Sequence, residues 1–125
     1  MEVIKIDSVK QEIYYVDIDN SLDSIYEQLN CDLFTCPIIL DNQDSLYVDD
    51  EGLFVDEYVG AFYFGDYPQP LFGNGLIIGT NIEGENESVA SSIKSIENKV
   101  KFLPEETGKY ILDQMRDSGH TFIPL

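Results

Sequence analysis

Residues 3–30 read VIKIDSVKQEIYYVDIDNSLDSIYEQLN and hold the signals for two strands, a turn and a helix. Val3, Ile4 and Ile6 suit a first strand. Ile13, Tyr14, Tyr15, Val16 and Ile18 lie within Val9–Ile18 and are β-branched or aromatic, which suits a second. The short polar link near Asp7-Ser8 predicts a hairpin between them. Asn20 or Ser21 reads as a helix N-cap, and Asp23 falls in the first turn, where the helix dipole favours an anion. Leu22, Ile25, Tyr26 and Leu29 sit at i, i+3, i+4 and i+7, one face of a short helix that Asn30 can end.

Further along, Leu33–Leu40 is apolar but contains Pro37. Proline lacks a backbone donor, so this strand belongs at a sheet edge or is bent. Asp41-Asn42-Gln43-Asp44 is a turn before a strand at Leu46-Tyr47-Val48, and Asp50-Glu51-Gly52 is another turn. Tyr58–Phe64 reads as a strand, with a short helix near Val55–Val59 as the alternative. Gly65–Gly75 carries three Gly and two Pro and reads as a loop. Leu76–Asn81 is a strand, and Gly84–Asn86 a turn.

The tail changes character. Val89, Ile93, Ile96, Val100 and Leu103 recur at spacings of 4, 3, 4 and 3, a helical stripe with Ser88 as its N-cap. Pro104 suits a helix N1 position, followed by Glu105 and Glu106, with Ile111, Leu112 and Met115 on one face and Gly119 as the stop. The expected fold is α+β. A mostly antiparallel sheet of five to six short strands carries one short helix after the first hairpin and two C-terminal helices. Residues 1–87 form an acidic core, and 88–125 a helical segment packed on the same single domain. Packing on that domain is the expected use of the stripe; a homodimer interface is the other use it offers.

Charge is the second strong signal. Gln11–Ile93 spans 83 residues without Lys, Arg or His and carries seventeen Asp and Glu. The other 42 residues hold seven acids and seven bases, so this stretch accounts for the whole net charge of −17. Like charges repel within a compact chain, so such one-sidedness costs folding free energy. It argues against direct nucleic-acid binding and against anionic membranes, because both need Lys and Arg. With 43% hydrophobic and 12% aromatic residues, the chain is nonetheless expected to fold.

Few residues suggest chemistry. Asp17-x-Asp19-x-Ser21-x-Asp23 begins like a calcium loop, but Leu22 replaces the required Gly and Gln28 the closing Glu, so the helix-cap reading is preferred. Cys31 and Cys36 have neither redox nor zinc-site spacing. His120 has no nucleophile partner in the sequence. The expectation is a protein that is not an enzyme, with no cofactor and no metal. Met1–Lys5 does not start a signal peptide and no apolar run spans a bilayer, which points to the bacterial host cytosol.

Three groups of residues, Ile18-Asp19-Asn20-Ser21-Leu22-Asp23-Ser24-Ile25, Asp50-Glu51-Gly52-Leu53 and Gly75-Leu76-Ile77-Ile78-Gly79-Thr80, carry a family resemblance. Over Val16–Thr80 the chain resembles a small domain-of-unknown-function family common in phages, plasmids and conjugative elements. Members often have an Asn-Arg pair between the last two motifs; here no Arg precedes Arg116. The resemblance implies an accessory protein of a mobile element and carries over no catalytic residue. It leaves Ser88 onward as an addition to the family domain.

Together these readings predict an inhibitor of a host defence protein, anti-CRISPR or anti-restriction, that mimics nucleic acid on a basic surface. The partner would be a nuclease, a restriction enzyme or a guide-RNA effector. Asp17/Asp19, Asp49/Glu51 and Glu83/Glu85/Glu87 have the i, i+2 spacing of charge rows on extended backbone. Asp23, Asp41, Asp44, Asp50, Asp56, Glu57 and Asp66 extend the candidate surface, and Tyr63 and Tyr67 could add aromatic contacts beside it. The alternative is an accessory protein that binds through aromatic and helical surfaces, its charge serving solubility only. A solvated acidic face needs no partner at all.

Overall fold

The computed structural model describes residues 1–52 and 57–117. In chain order its elements are β1 (Glu2–Asp7), β2 (Glu12–Asp17), α1 (Leu22–Leu29), β3 (Phe34–Ile39), β4 (Ser45–Asp49), β5 (Ala61–Phe64), β6 (Leu71–Phe72), β7 (Gly75–Thr80), β8 (Asn86–Glu87), α2 (Ile93–Glu97), β9 (Val100–Phe102) and α3 (Glu105–Asp117). The expected α+β architecture is present, with its strands divided between two antiparallel sheets. The larger runs β2-β1-β7-β4-β3, with β8 added to the end of β7; the smaller runs β6-β5-β9.

Four layers result. Ile25 and Leu29 of α1 pack with Val3, Leu76 and Ile78 on one face of the large sheet. Ile4, Ile6, Leu46, Val48 and Ile77 on the other face pack against Phe62, Phe64 and Leu71 of the small sheet and Ile96 of α2. Ala61 and Phe72 on the outer side of the small sheet pack with Leu103, and Leu112 of α3 closes that layer. Each fully buried aliphatic or aromatic side chain contributes roughly 1.5–3 kcal/mol.

Local chemistry explains the first half of the chain. Ser21 caps α1 in extended conformation, its Oγ accepting from the Ser24 N–H at 3.2 Å. Asn30 ends the helix in the left-handed region at φ 52°. β1 and β2 pair from Glu2↔Asp17 to Asp7↔Glu12. Pro37 lies in β3, an edge strand whose register shifts between Thr35 and Ile38, as a proline requires. β7 is central and buried from Gly75 to Gly79, the expected pattern for a strand covered on both faces. Gly79 is needed there because any Cβ would collide with the Ser88 carbonyl where β8 crosses.

The second half departs from local pattern. The stripe from Val89 to Leu103 is not one helix. Only Ile93–Glu97 is helical, capped by Ser92 rather than Ser88. Ser88 Oγ instead accepts from the Glu2 N–H at 2.9 Å. Val100 and Phe102 face Phe64 and Phe62 as strand β9. Val100 fits the helical stripe with Leu103 and also a two-residue period with Phe102 across Lys101, and pairing with β5 decides between them. The residues after Ser88 thus supply a strand to the second sheet. Within Tyr58–Phe64 only Ala61–Phe64 is strand, and the Gly65–Gly75 loop contains β6. Pro104 precedes α3, and its carbonyl accepts from the Gly108 N–H at 2.9 Å. Of the possible helix near Val55–Val59, the described residues Glu57, Tyr58 and Val59 are not helical, while Val55 and Asp56 lie outside the described residues, as do Gly119 and His120.

Candidate acidic interaction surface

The expected charge rows do not lie along regular strands. Asp17 is the last residue of β2 and Asp49 the last of β4, and of the three glutamates only Glu87 is in a strand. The carboxylates crowd at strand ends and turns, and α1 links the two ends of the sheet.

At the first end, the chain leaves β2 at Asp17, passes Asp19 and enters α1 through its Ser21 cap, with Asp23 in the first turn. The Met1 N–H groups donate to the Ile18 carbonyl at 2.7 Å and to Asp17 Oδ1 at 3.3 Å. Asn20 Nδ2 donates to the Asn86 carbonyl at 3.4 Å, which brings the β7–β8 hairpin alongside. Asn81 shapes that hairpin, its Oδ1 accepting from the Glu83 and Glu85 N–H groups at 2.9 Å each, while Gly84 takes φ 83°. Glu83, Glu85 and Glu87 are all exposed. A polar cleft of about 520 Å³ opens between β2 and α1, lined by Asp17, Asp19 and Glu27 among others.

At the second end α1 gives way to Asp32 and β3, and Phe34 pairs with Asp49. Asp50 and Glu51 follow in the turn, where the Glu51 N–H donates to Asp49 Oδ1 at 2.9 Å. Burial raises the Asp49 carboxyl above the usual range. The Glu51 N–H opposes this, and the charges of Glu51, Asp50 and Asp32 add to it. The neighbouring Cys31 thiol is pushed up to about 11, by burial first and by the charge of Asp49 next.

Between the ends, α1 exposes Asp23 and Glu27 one turn apart. The track therefore runs Asp17, Asp19, Asp23, Glu27, Asp32, then Asp49, Asp50 and Glu51, with Glu83, Glu85 and Glu87 beside its start. Glu27 and Asp32 were absent from the sequence-derived set. The i, i+4 spacing of Asp23 and Glu27 was the available signal for the first. Asp32 joins only because β3 and β4 pair.

Other candidates lie elsewhere. Asp44, expected on the surface, is 1% exposed and is a framework residue. Its Oδ2 accepts from Ser91 N at 2.8 Å and Ser91 Oγ at 2.6 Å, and its Oδ1 from Ala90 N at 3.1 Å. Tyr67, expected as a contact residue, is 8% exposed within the central core. Tyr63 is half-buried against the cluster under α3. A short apolar residue run around a strand cannot tell which aromatics a later helix will cover. Asp41 is exposed in the β3–β4 turn on the α2 side, Asp66 lines a groove with Lys99, and Glu57 is exposed.

Among the described residues no lysine side chain pairs with an acid of Gln11–Ile93. Ion pairs among the described residues include Met1–Asp17 at 3.3 Å and Lys109–Glu105 at 3.0 Å. Nor do three or more His, Cys, Asp or Glu there converge as metal ligands. No described helix is long and apolar enough to cross a membrane.

A family model described as a domain of unknown function, DUF3846, matches residues 1–101. The chain belongs to this family. The DUF3846 match reaches well past Val16–Thr80, taking in β1, α2 and most of β9, so that among the described elements only α3 lies wholly beyond it. The view that everything from Ser88 is an addition is corrected accordingly. No curated protein and no solved structure matched the chain.

Proposed function

We propose that this DUF3846 protein is a non-catalytic inhibitor from a phage or mobile element, acting in the bacterial cytosol. It occupies the basic nucleic-acid-binding surface of a host defence protein, in an anti-CRISPR or anti-restriction role. The observation that supports the reading is the acidic track along α1, unneutralised by any lysine side chain among the described residues. A six-residue strand spans about 17 Å at ~3.4 Å per residue. Duplex DNA carries about one charge per 1.7 Å of axis, or about ten over that length. The eleven carboxylates of the track and its flanking hairpin are of the same order. The like-charged Asp23 and Glu27 cost the helix a few tenths of a kcal/mol, a cost consistent with selection for a charged surface.

The test is reversal of Asp19, Asp23, Glu27 and Asp32 to Lys, with folding checked by circular dichroism. Pull-downs from lysate of a bacterial host are compared at low and high salt. The native chain should retain a basic nucleic-acid-binding protein that high salt releases. The reversed chain should not. Retention of the same protein by both sinks the proposal. Of the aromatic contacts that the alternative offered, Tyr67 is buried and Tyr63 lies partly under α3.

A further inference from the structure

The tip of the β7–β8 hairpin carries Ile82, which is fully exposed. A lone exposed aliphatic side chain is ordinary and by itself indicates nothing. This one stands on a backbone held at three points. The Asn81 N–H donates to the Glu85 carbonyl at 2.9 Å, the Gly84 N–H donates to the Asn81 carbonyl at 3.0 Å, and Asn81 Oδ1 accepts from both glutamate N–H groups. A second large aliphatic, Leu22, is 61% exposed at the start of α1. The Asn20–Asn86 hydrogen bond brings these two segments to the same end of the molecule. Exposed carboxylates flank both, with Glu83 after Ile82 and Asp23 after Leu22.

We propose that Ile82 is an aliphatic anchor for a protein partner whose surface has an apolar pocket rimmed by lysine or arginine. This rests on the reading of the acidic track as a partner surface and adds what charge alone lacks. Charge rows steer and orient, whereas a side chain seated in a pocket slows dissociation. The tethered tip loses little conformational freedom on binding, so burial of the isoleucine contributes nearly in full. Charge complementarity commits the partner: the glutamates around the tip would oppose any pocket edged by acids and favour one edged by bases.

The test uses the intact chain with the photo-crosslinking residue benzoylphenylalanine at position 82, or at position 110, where Tyr110 is exposed on α3. Each is irradiated in bacterial lysate at low salt and the joined peptides are sequenced. Position 82 should join an apolar segment bordered by Lys or Arg, and position 110 should not. The purified protein so identified is then titrated with native chain and with Ile82→Ser. The variant should bind about 10–150-fold more weakly, the loss expected for one buried aliphatic side chain, with an unchanged salt slope. No joined peptide from position 82, identical products from both positions, or full-strength binding by Ile82→Ser overturns the anchor. Asp19→Lys/Asp23→Lys/Glu27→Lys tests the parent reading separately. Its full-strength binding would sink the acidic track while the Ile82 result stood on its own.

Discussion

Replacing Asp44 with alanine should cost about 2–4 kcal/mol of stability. The carboxylate is buried at the end of the β3–β4 turn and receives the Ala90 N–H, the Ser91 N–H and the Ser91 hydroxyl. Asn42 Nδ2 adds a longer contact at 3.4 Å, while Asn42 Oδ1 accepts from the Asp44 N–H at 3.0 Å. Bonds to a charged acceptor are worth about 1.5–3 kcal/mol each, and a stranded buried donor costs about 1–3 kcal/mol. Water can replace the carboxylate at exposed Ala90 and partly at half-buried Ser91, so the full sum of three bonds is not expected. Loss of the tie also frees the segment leading into α2, where Ile96 is buried in the central core. The chain has no Trp, so urea unfolding is best followed by far-ultraviolet circular dichroism. The melting temperature should fall by roughly 8–16 °C at about 4 °C per kcal/mol. Ser91→Ala removes only the hydroxyl and should cost about 1 kcal/mol. The double variant should show coupling, because both changes act on one network. A loss below about 1 kcal/mol for Asp44→Ala would refute the view that this acid holds the two halves of the chain together.

Four further outcomes follow from the same geometry. Burial tends to raise the Asp7 carboxyl, but the Lys10 N–H, the Tyr14 hydroxyl and the Lys5 and Lys10 charges outweigh it and hold it low. Its stabilisation is present above the unfolded value of about 3.9 and is lost as pH falls through the lower folded value, so Asp7→Asn should weaken the protein above pH ~4 and matter little well below it. Asp49 has the opposite sign, its ionisation opposing folding above its raised value, so Asp49→Asn should raise the urea midpoint at pH 7 and the gain should close toward pH ~4. With its thiol pushed up to about 11, Cys31 should react with a disulfide reagent at pH 7.5 far more slowly than a free cysteine, and a comparable rate would contradict its placement. Gly79→Ala must push β8 off β7 and should destabilise the protein by about 2–4 kcal/mol, with amide exchange rising first in the Asn81–Ser88 segment.

Much of the first thirty residues was legible because neighbours along the chain settle it. The β1–β2 hairpin, the Ser21 cap and Asn30 in the left-handed region each need only residues a few positions away. Pro37 likewise announced an edge, since a missing donor is a local fact. The excess of acid was equally plain, and so was the membership of an uncharacterised family. Beyond Ser88 the apolar spacing fitted two periods at once, and only pairing with Phe62 and Phe64 turned Val100 and Phe102 into a strand. The same limit governed the candidate surface. Sequence alone settled how many carboxylates the chain carries and that lysine and arginine are missing among them. Tertiary structure decided how they are arranged: strand register set Asp32 beside Asp49, the Asn20–Asn86 hydrogen bond brought the β7–β8 hairpin alongside the start of α1, and Asp44 was drawn inside. Propensity acts between residues a few positions apart. The approach of distant charges depends on which strand ends the sheet brings together, which no local pattern specifies.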